Sequence, residues 1–162
     1  MPLIKNGAYA EDRFAMVTGD APLPGGPAIV SLARFKQDRQ TLLARNAPLG
    51  VRLKANESPA ELAGDLDRLS LIVLEFPKFR DGRAFSWARM LRTRLGYTGE
   101  IRATGDFLYD QLAFMHRVGI DAFEAPAALT PELFQRALGE MRLVYQPSAD
   151  GKKTMRELRA GN

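Results

Sequence analysis

The chain alternates short apolar runs with segments of helical periodicity, and this alternation is the feature that most restricts its fold. The predicted strands cover residues 28–32, 50–55, 71–76, 100–104, 122–124 and 142–146. The predicted helices cover residues 35–45, 59–69, 85–95, 107–118 and 131–141. Strand starts recur every ~20–30 residues, which is the interval that successive βα units require. The sequence therefore predicts an α/β fold with a mainly parallel sheet.

The third predicted strand indicates how this sheet is covered. Its apolar run at residues 71–74 is continuous rather than alternating, which is typical of a central parallel strand with both faces buried. Five or six βα units are too few for a complete eight-stranded barrel. We therefore expect a sheet that is either open or partly barrel-like.

The ends of the chain differ from this βα core, which we place at residues 28–146. The Asn6-Gly7 pair between short apolar runs predicts a tight β-hairpin, so residues 1–20 are expected to form a small β extension. Residues 21–27 are rich in proline and glycine and predict a connector. Residues 148–162 are expected to form a tail. The whole chain of 162 residues fits a single domain.

Helix starts are signalled by polar residues that can cap them. Ser58 and Thr130 each precede a proline, a combination typical of an N-cap followed by the first helical residue. Asp106 stands where the fourth helix is expected to begin. In the third helix, Trp87 belongs to an apolar stripe and is expected to pack in the core rather than to serve as a stacking platform.

The composition excludes several kinds of chemistry. The chain contains no cysteine, which rules out disulfides, thiolate nucleophiles, iron–sulfur clusters and cysteine-ligated zinc. The single histidine, His116, cannot build a metal site alone, and a packed or surface role is expected for it. No segment approaches the ~20 apolar residues that a membrane span needs. We therefore expect a cytoplasmic protein without a metal site.

The carboxyl ends of the strands are the place to search for a site, because parallel α/β folds bind ligands there. The loops after the third and fourth strands gather polar and basic side chains that predict an oxyanion or phosphate site. These candidate anion-binding residues are Lys78, Arg80, Arg83, Arg102 and Asp106. In the alternative interpretation, Asp81, Asp106 and Asp110 pair with the basic groups and cap helices, leaving no free site.

Two carboxylates are candidates for acid–base chemistry. Glu75 ends an apolar strand, where burial would raise the pKa of a carboxyl group and suit it to proton transfer. Asp110 is the second candidate. The alternative for Glu75 is a structural salt bridge to Lys78 or Arg102. The sequence carries no dinucleotide fingerprint, phosphate loop, metal triad or nucleophile elbow, and it identifies no cofactor.

Four stretches of the chain resemble an uncharacterised bacterial family, the domain of unknown function 934, whose members are commonly labelled oxidoreductases involved in sulfite reduction. The stretches are FPKFRDGRAFSWARMLR at residues 76–92, GEIRATGD at 99–106, DQL at 110–112 and VGIDAF at 118–123. Family-typical positions that match are Lys78, Asp81, Gly82, Arg83, Ser86, Arg89, Arg92, Arg102, Gly105, Asp106, Asp110 and Gln111. Members often carry cysteine where this chain has Val118, which argues against a thiol mechanism.

The resemblance implies a role in assimilatory sulfur metabolism, because members are typically encoded beside sulfite reductase. Sulfite reduction needs a cofactor that carries electrons. This sequence has no cysteines to hold an iron–sulfur cluster, a single histidine to hold a haem, and no dinucleotide fingerprint. We therefore expect an accessory or anion-binding protein, with sulfite reductase and a small oxyanion as its partners.

Two alternatives remain open. One is a small enzyme of the same pathway, acting on an oxyanion- or phosphate-bearing substrate. The other is a nucleic-acid-binding module, because residues 78–102 hold seven basic groups against two acidic ones, although no binding motif accompanies them. The basic groups are Lys78, Arg80, Arg83, Arg89, Arg92, Arg94 and Arg102.

Overall fold

The strands and helices follow the predicted alternation. The computed structural model of the protein describes residues 2–124, 126, 128–140, 148, 151, 153 and 154. The strands are β1 (Leu3–Lys5), β2 (Ala8–Ala10), β3 (Ala15–Met16), β4 (Ala28–Ser31), β5 (Leu49–Leu53), β6 (Leu71–Phe76), β7 (Glu100–Gly105) and β8 (Ala122–Glu124). The α-helices are α1 (Leu32–Gln37), α2 (Arg39–Leu43), α3 (Arg83–Thr93), α4 (Leu112–Arg117) and α5 (Pro131–Glu140).

The eight strands form one sheet in the order β2-β1-β8-β7-β6-β5-β4-β3. Neighbouring strands from β3 to β8 are parallel to one another, whereas β1 pairs antiparallel with both β8 and β2. Each neighbouring pair from β4 to β8 is also consecutive in the chain, as expected when βα units follow one another around a barrel. The mainly parallel α/β fold is confirmed.

The sheet is curled, because its two edges are joined by only a few residues. Eight flat strands ~4.8 Å apart would hold β2 and β3 ~34 Å from each other. The link from Ala10 to Ala15 is five residue steps and spans at most ~18 Å when fully extended. The sheet must therefore curve into a partial barrel. We call residues 11–14, which join its edges, the strap.

The curl gives the sheet two different faces. The convex face packs against the helices and carries most of the hydrophobic core, including Ile72, Leu74 and Phe76 of β6. The concave face holds a smaller apolar cluster of Ile29, Leu71 and Val73, and Phe14 of the strap packs against it. Strand β6 is thus buried on both sides, which explains its continuous apolar run.

The N-terminal hairpin is confirmed but is not an extension beside the core. Asn6 and Gly7 have φ values of 51° and 79°, the left-handed conformation that a tight hairpin turn requires. Strand β1 then pairs with β8 through Leu3, Ile4 and Lys5. The hairpin is therefore part of the sheet.

Two predicted helices are shorter and tighter than expected. The segment predicted as a helix at 59–69 forms two 3₁₀ turns, Pro59–Leu62 and Leu66–Arg68. Gly64 lies between them, and glycine costs ~1 kcal/mol relative to alanine inside a helix. The segment predicted at 107–118 begins as a 3₁₀ turn, Tyr109–Gln111, and becomes helical only in α4.

Two of the three expected caps are confirmed. The Ser58 hydroxyl accepts a hydrogen bond from the Ala60 N–H, and the Thr130 hydroxyl accepts one from the Leu133 N–H, both at 3.3 Å. Asp106 is not a cap: its N–H donates to the Phe76 carbonyl at 2.8 Å, which extends the pairing of β6 with β7. The predicted helix 35–45 is divided into α1 and α2 at Asp38.

Some expectations lie beyond the described part of the chain. The closing strand at 142–146 and most of the tail at 148–162 lie outside the described residues. Within the described residues, none of the helices has both the length and the apolar composition that a membrane span needs. A cytoplasmic location stays a prediction.

We expect Gly105→Ala to destabilise the protein by at least ~2 kcal/mol. Gly105 has a φ of 107°, and an added Cβ would collide with the Phe76 carbonyl oxygen, a rigid backbone atom. Urea unfolding of the full chain measures the loss. Gly64→Ala is the control, because nothing lies within 4 Å of its added Cβ. Equal losses in the two variants would contradict this account of Gly105.

Candidate functional site

The concave face of the barrel carries a polar network centred on Arg102. Strand residues alternate between the two faces, so Ile101 and Ala103 of β7 face the helices while Glu100, Arg102 and Thr104 face the interior. The Arg102 side chain is only 2% exposed. Burial on this scale is rare for arginine and requires acidic partners.

Three carboxylates supply those partners. The Nε and Nη2 atoms of Arg102 both donate to Glu100 Oε1, at 3.1 and 3.0 Å. Its Nη1 donates to Asp12 Oδ2 of the strap at 2.9 Å and to Glu124 Oε1 at 3.5 Å. Burial alone would lower the pKa of Arg102, but the charges of Glu100 and Asp12 more than offset it and raise that pKa above its ordinary value. Arg102 is therefore always charged.

Two further polar groups hold the carboxylates in place. Lys5 of β1 donates to Glu100 Oε2 at 2.6 Å. The Thr104 hydroxyl donates to Glu124 Oε2 at 2.6 Å. Each of these strand-borne carboxylates thus uses one oxygen for Arg102 and the other for a second donor. The network ties β1, β7, β8 and the strap together.

Glu75 lies on the same concave face but has a different partner from the two expected. Arg52 of β5 lies 3.1 Å from Glu75, and both side chains are half-buried. The predicted alternative of a structural ion pair is thus observed, with Arg52 in place of Lys78 or Arg102. Asp110, the second catalytic candidate, lies on the exposed 3₁₀ turn after β7. The described contacts do not bring the two carboxylates together.

The candidate anion-binding residues separate into two groups. Lys78 and Arg80 lie in the loop between β6 and α3, Arg83 is the first residue of α3, and all three are exposed. Arg102 lies in the interior, three residues before the end of β7. Asp106 is exposed just beyond that strand end.

Arg83 is paired with a carboxylate of that loop, Asp81. Its Nε and Nη2 donate to Asp81 at 3.0 and 2.7 Å, and its backbone N–H donates to Asp81 at 3.2 Å. Arg80 instead lies over the Phe79 ring, 5.4 Å from the ring centre. Arg92, further along α3, donates to the carbonyls of Tyr97 and Gly99 and to Asp121. Much of the basic excess of residues 78–102 is therefore neutralised within the chain.

An exposed apolar surface lies next to this loop, and the sequence did not predict it. Phe79, Leu108, Tyr109 and Leu133 are between 37% and 43% exposed. Leu108, Tyr109 and Leu133 line a groove of about 170 Å³, together with residues that include Leu112, Pro126 and Leu129. We call the four exposed side chains and this groove the strand-end patch. Leu108 and Tyr109 belong to the segment predicted as a helix at 107–118, and that prediction did not indicate an exposed surface.

Two residues that were expected to pack do so. Trp87 packs against the core, and its indole N–H donates to the Ala55 carbonyl at 2.9 Å. His116 contacts the Phe134 ring edge to face, with ring centres 6.2 Å apart. No group of three or more acidic or histidine side chains that could hold a metal ion occurs within the described residues.

The fold and these surfaces define a partial-barrel α/β protein with a polar, strapped interior and an apolar surface at its strand ends. The family model of a bacterial protein of unknown function, DUF934, matches residues 50–156, and the chain belongs to that family. The matched residues begin at β5 and exclude the strap. No curated protein matches the chain.

We expect Arg102→Met to cost about 3 kcal/mol of unfolding free energy, because it leaves the partly buried carboxylates of Glu124 and Asp12 without their counter-charge. Arg52→Met is the matched control. Its pair with Glu75 is half-exposed, and such pairs contribute about 1 kcal/mol or less. Urea unfolding of both variants gives the comparison. A loss for Arg102→Met no greater than for Arg52→Met would contradict the central place of the Arg102 network.

We expect the Asp81 carboxyl to titrate far below its ordinary range. Hydrogen bonds from the Arg83 side chain and backbone lower the pKa of Asp81 from 3.8 to about 2. Because the folded pKa is the lower one, the stabilisation by this pair is present above about pH 4 and is lost as the pH falls towards 2. NMR titration measures the Asp81 midpoint. Arg83→Ala should raise it, whereas Arg80→Ala should leave it near 2; a midpoint unmoved by Arg83→Ala would contradict this assignment.

Proposed function

We propose that this protein is an accessory protein of assimilatory sulfite reduction that docks on sulfite reductase through the strand-end patch. The exposed patch is the observation that carries the proposal. Single exposed apolar side chains are ordinary on soluble proteins, but a contiguous group beside a groove is typical of an interaction site.

The loops that carry the patch are held in place before any partner binds. The Gln111 side chain donates to the Phe79 carbonyl at 2.8 Å and accepts from the Leu108 N–H at 2.9 Å. The Tyr109 hydroxyl donates to Glu140 of α5 at 3.2 Å. These bonds join the loop after β6, the turn after β7 and α5. A surface that is ordered in advance loses less conformational entropy on association.

The charges beside the patch indicate the kind of partner surface. Lys78 and Arg80 are exposed next to Phe79, while Arg83 is neutralised by Asp81. A partner with an apolar ridge and acidic groups beside it would match this arrangement. Charges at such a rim mainly raise the association rate and select the partner.

The ion pairs at the strand ends favour a binding role for this surface over catalysis. Glu75 is engaged by Arg52 and Arg83 by Asp81, so neither is poised for proton transfer or for an anion without first breaking an ion pair. The resemblance to a family encoded beside sulfite reductase supports that enzyme as the partner.

Biolayer interferometry with the immobilised chain and sulfite reductase from the same organism tests the proposal. We expect saturable binding, and we expect Leu108→Lys combined with Leu133→Lys to weaken it at least about tenfold, because buried apolar anchors dominate interface energies. Both side chains are exposed, so the thermal midpoint of the double variant should stay close to that of the wild type.

Met16→Lys is the matched control. Met16 is also an exposed apolar residue, at 41%, but it lies on the edge strand β3, three strands away from β6. Its substitution should leave the affinity unchanged. The proposal fails if the wild-type chain does not bind, or if the double variant and the control bind equally well.

A further inference from the structure

The three carboxylates around Arg102 are not held equally. Glu100 and Glu124 belong to β7 and β8, and each is fixed by a second donor, Lys5 or Thr104. Asp12 comes from the strap. Its side chain is 37% exposed, compared with 11% for Glu100 and 20% for Glu124. Asp12 is therefore the partner most accessible to solvent.

The strap is tied to the sheet by side chains rather than by its backbone. Among the described residues, residues 11–14 share no backbone–backbone hydrogen bond with a strand. The Phe14 N–H donates instead to the other oxygen of Asp12 at 3.1 Å. Asp12 can therefore turn outward without breaking any strand pairing.

Phe14 anchors the strap independently of Asp12. Its ring packs on Ile29, Leu71 and Val73 and lies 5.9 Å from the Arg102 guanidinium carbon. Releasing this ring would expose apolar surface, whereas releasing Asp12 exposes mainly polar atoms. The movable part is thus residues 11–13, and Phe14 keeps it close to Arg102.

Charge decides which ligand could take the place of Asp12. Arg102 and Lys5 face three carboxylates, which leaves one negative charge in excess. Without Asp12, the two cations and the two remaining carboxylates balance. A monoanion restores the charge of the closed state, whereas a dianion adds a second uncompensated charge. The space vacated by a carboxylate also limits the ligand to a similar size.

We propose that Asp12 is a built-in occupant of a small-oxyanion site on Arg102. In this site a free monoanion of carboxylate size, such as formate, acetate or hydrogen sulfite, exchanges with the Asp12 carboxylate. Residues 11–13 turn outward, while the Phe14 ring stays packed on the concave face. The exchange forms and breaks only hydrogen bonds and ion pairs, and it is independent of docking at the strand-end patch.

Variants of Asp12 test whether the site exists. Asp12→Ala vacates the position on Arg102, so formate should stabilise this variant, raising its folding equilibrium constant about tenfold at a tenfold excess over Kd. Asp12→Asn keeps the position filled and should not respond. Asp67→Ala, which removes an exposed acid elsewhere, reports the general effect of salt. Sulfate at the same ionic strength tests the preference for a monoanion.

Hydrogen exchange in the wild-type chain tests whether Asp12 leaves. Formate should accelerate exchange of the Phe14 amide severalfold relative to chloride, because that amide loses its bond to Asp12. The Val17 amide, which donates to the Ile29 carbonyl at 2.8 Å, should not change. The proposal is overturned if Asp12→Ala gains no more from formate than Asp67→Ala does, or if the Phe14 amide is indifferent to formate. Loss of sulfite reductase binding would affect neither readout.

Discussion

The rest of the structure depends on one buried charge. Arg102 sits in the middle of β7, and its guanidinium lies inside the curled sheet, where an unpaired charge would cost several kcal/mol. Its partners come from β7 itself, from β8 and from the strap. The strap carboxylate reaches this guanidinium because the sheet curves and the strap crosses its open side. The curl of the sheet and the strap's contribution to the ion-pair network therefore support each other.

Because the ion-pair network fills the interior, the side chains most accessible to a ligand lie at the strand ends. In parallel α/β folds the carboxyl ends of the strands form the usual binding region. Here the concave side of that region holds the Arg52–Glu75 pair and the Thr104–Glu124 hydrogen bond. The outer loops instead present apolar side chains and unneutralised basic groups to solvent. The two proposed ligands follow this division: a small anion for the interior and a protein for the outer surface.

The sequence predicted the strands and turns better than the way in which the sheet curls and is covered. The unbroken apolar run of β6 and the Asn6-Gly7 turn are local signals, and both were interpreted correctly. The alternation of Glu100, Arg102 and Thr104 with Ile101 and Ala103 also indicates a strand with one polar face. It does not indicate that this face is buried, because the partner that covers Arg102 lies 90 residues away. The strand-end patch was missed for a local reason: the chain is extended at Leu108 and forms a 3₁₀ turn only from Tyr109, so neither side chain has the position that a helix would give it.

The N-terminal segment completes this interior without changing its charge. Residues 50–156, which the family model matches, contribute two positive charges to the interior, those of Arg52 and Arg102. They also contribute three negative charges, those of Glu75, Glu100 and Glu124. The segment before residue 50 adds one cation, Lys5, and one anion, Asp12. These two contributions cancel. Lys5 is fixed by strand pairing, whereas Asp12 is held only through side-chain contacts, so the cation stays when the anion leaves. Release of Asp12 would then leave the interior nearly neutral and free the Nη1–H of Arg102 that had donated to Asp12. That asymmetry is what makes a strap carboxylate, unlike a strand carboxylate, replaceable by a ligand.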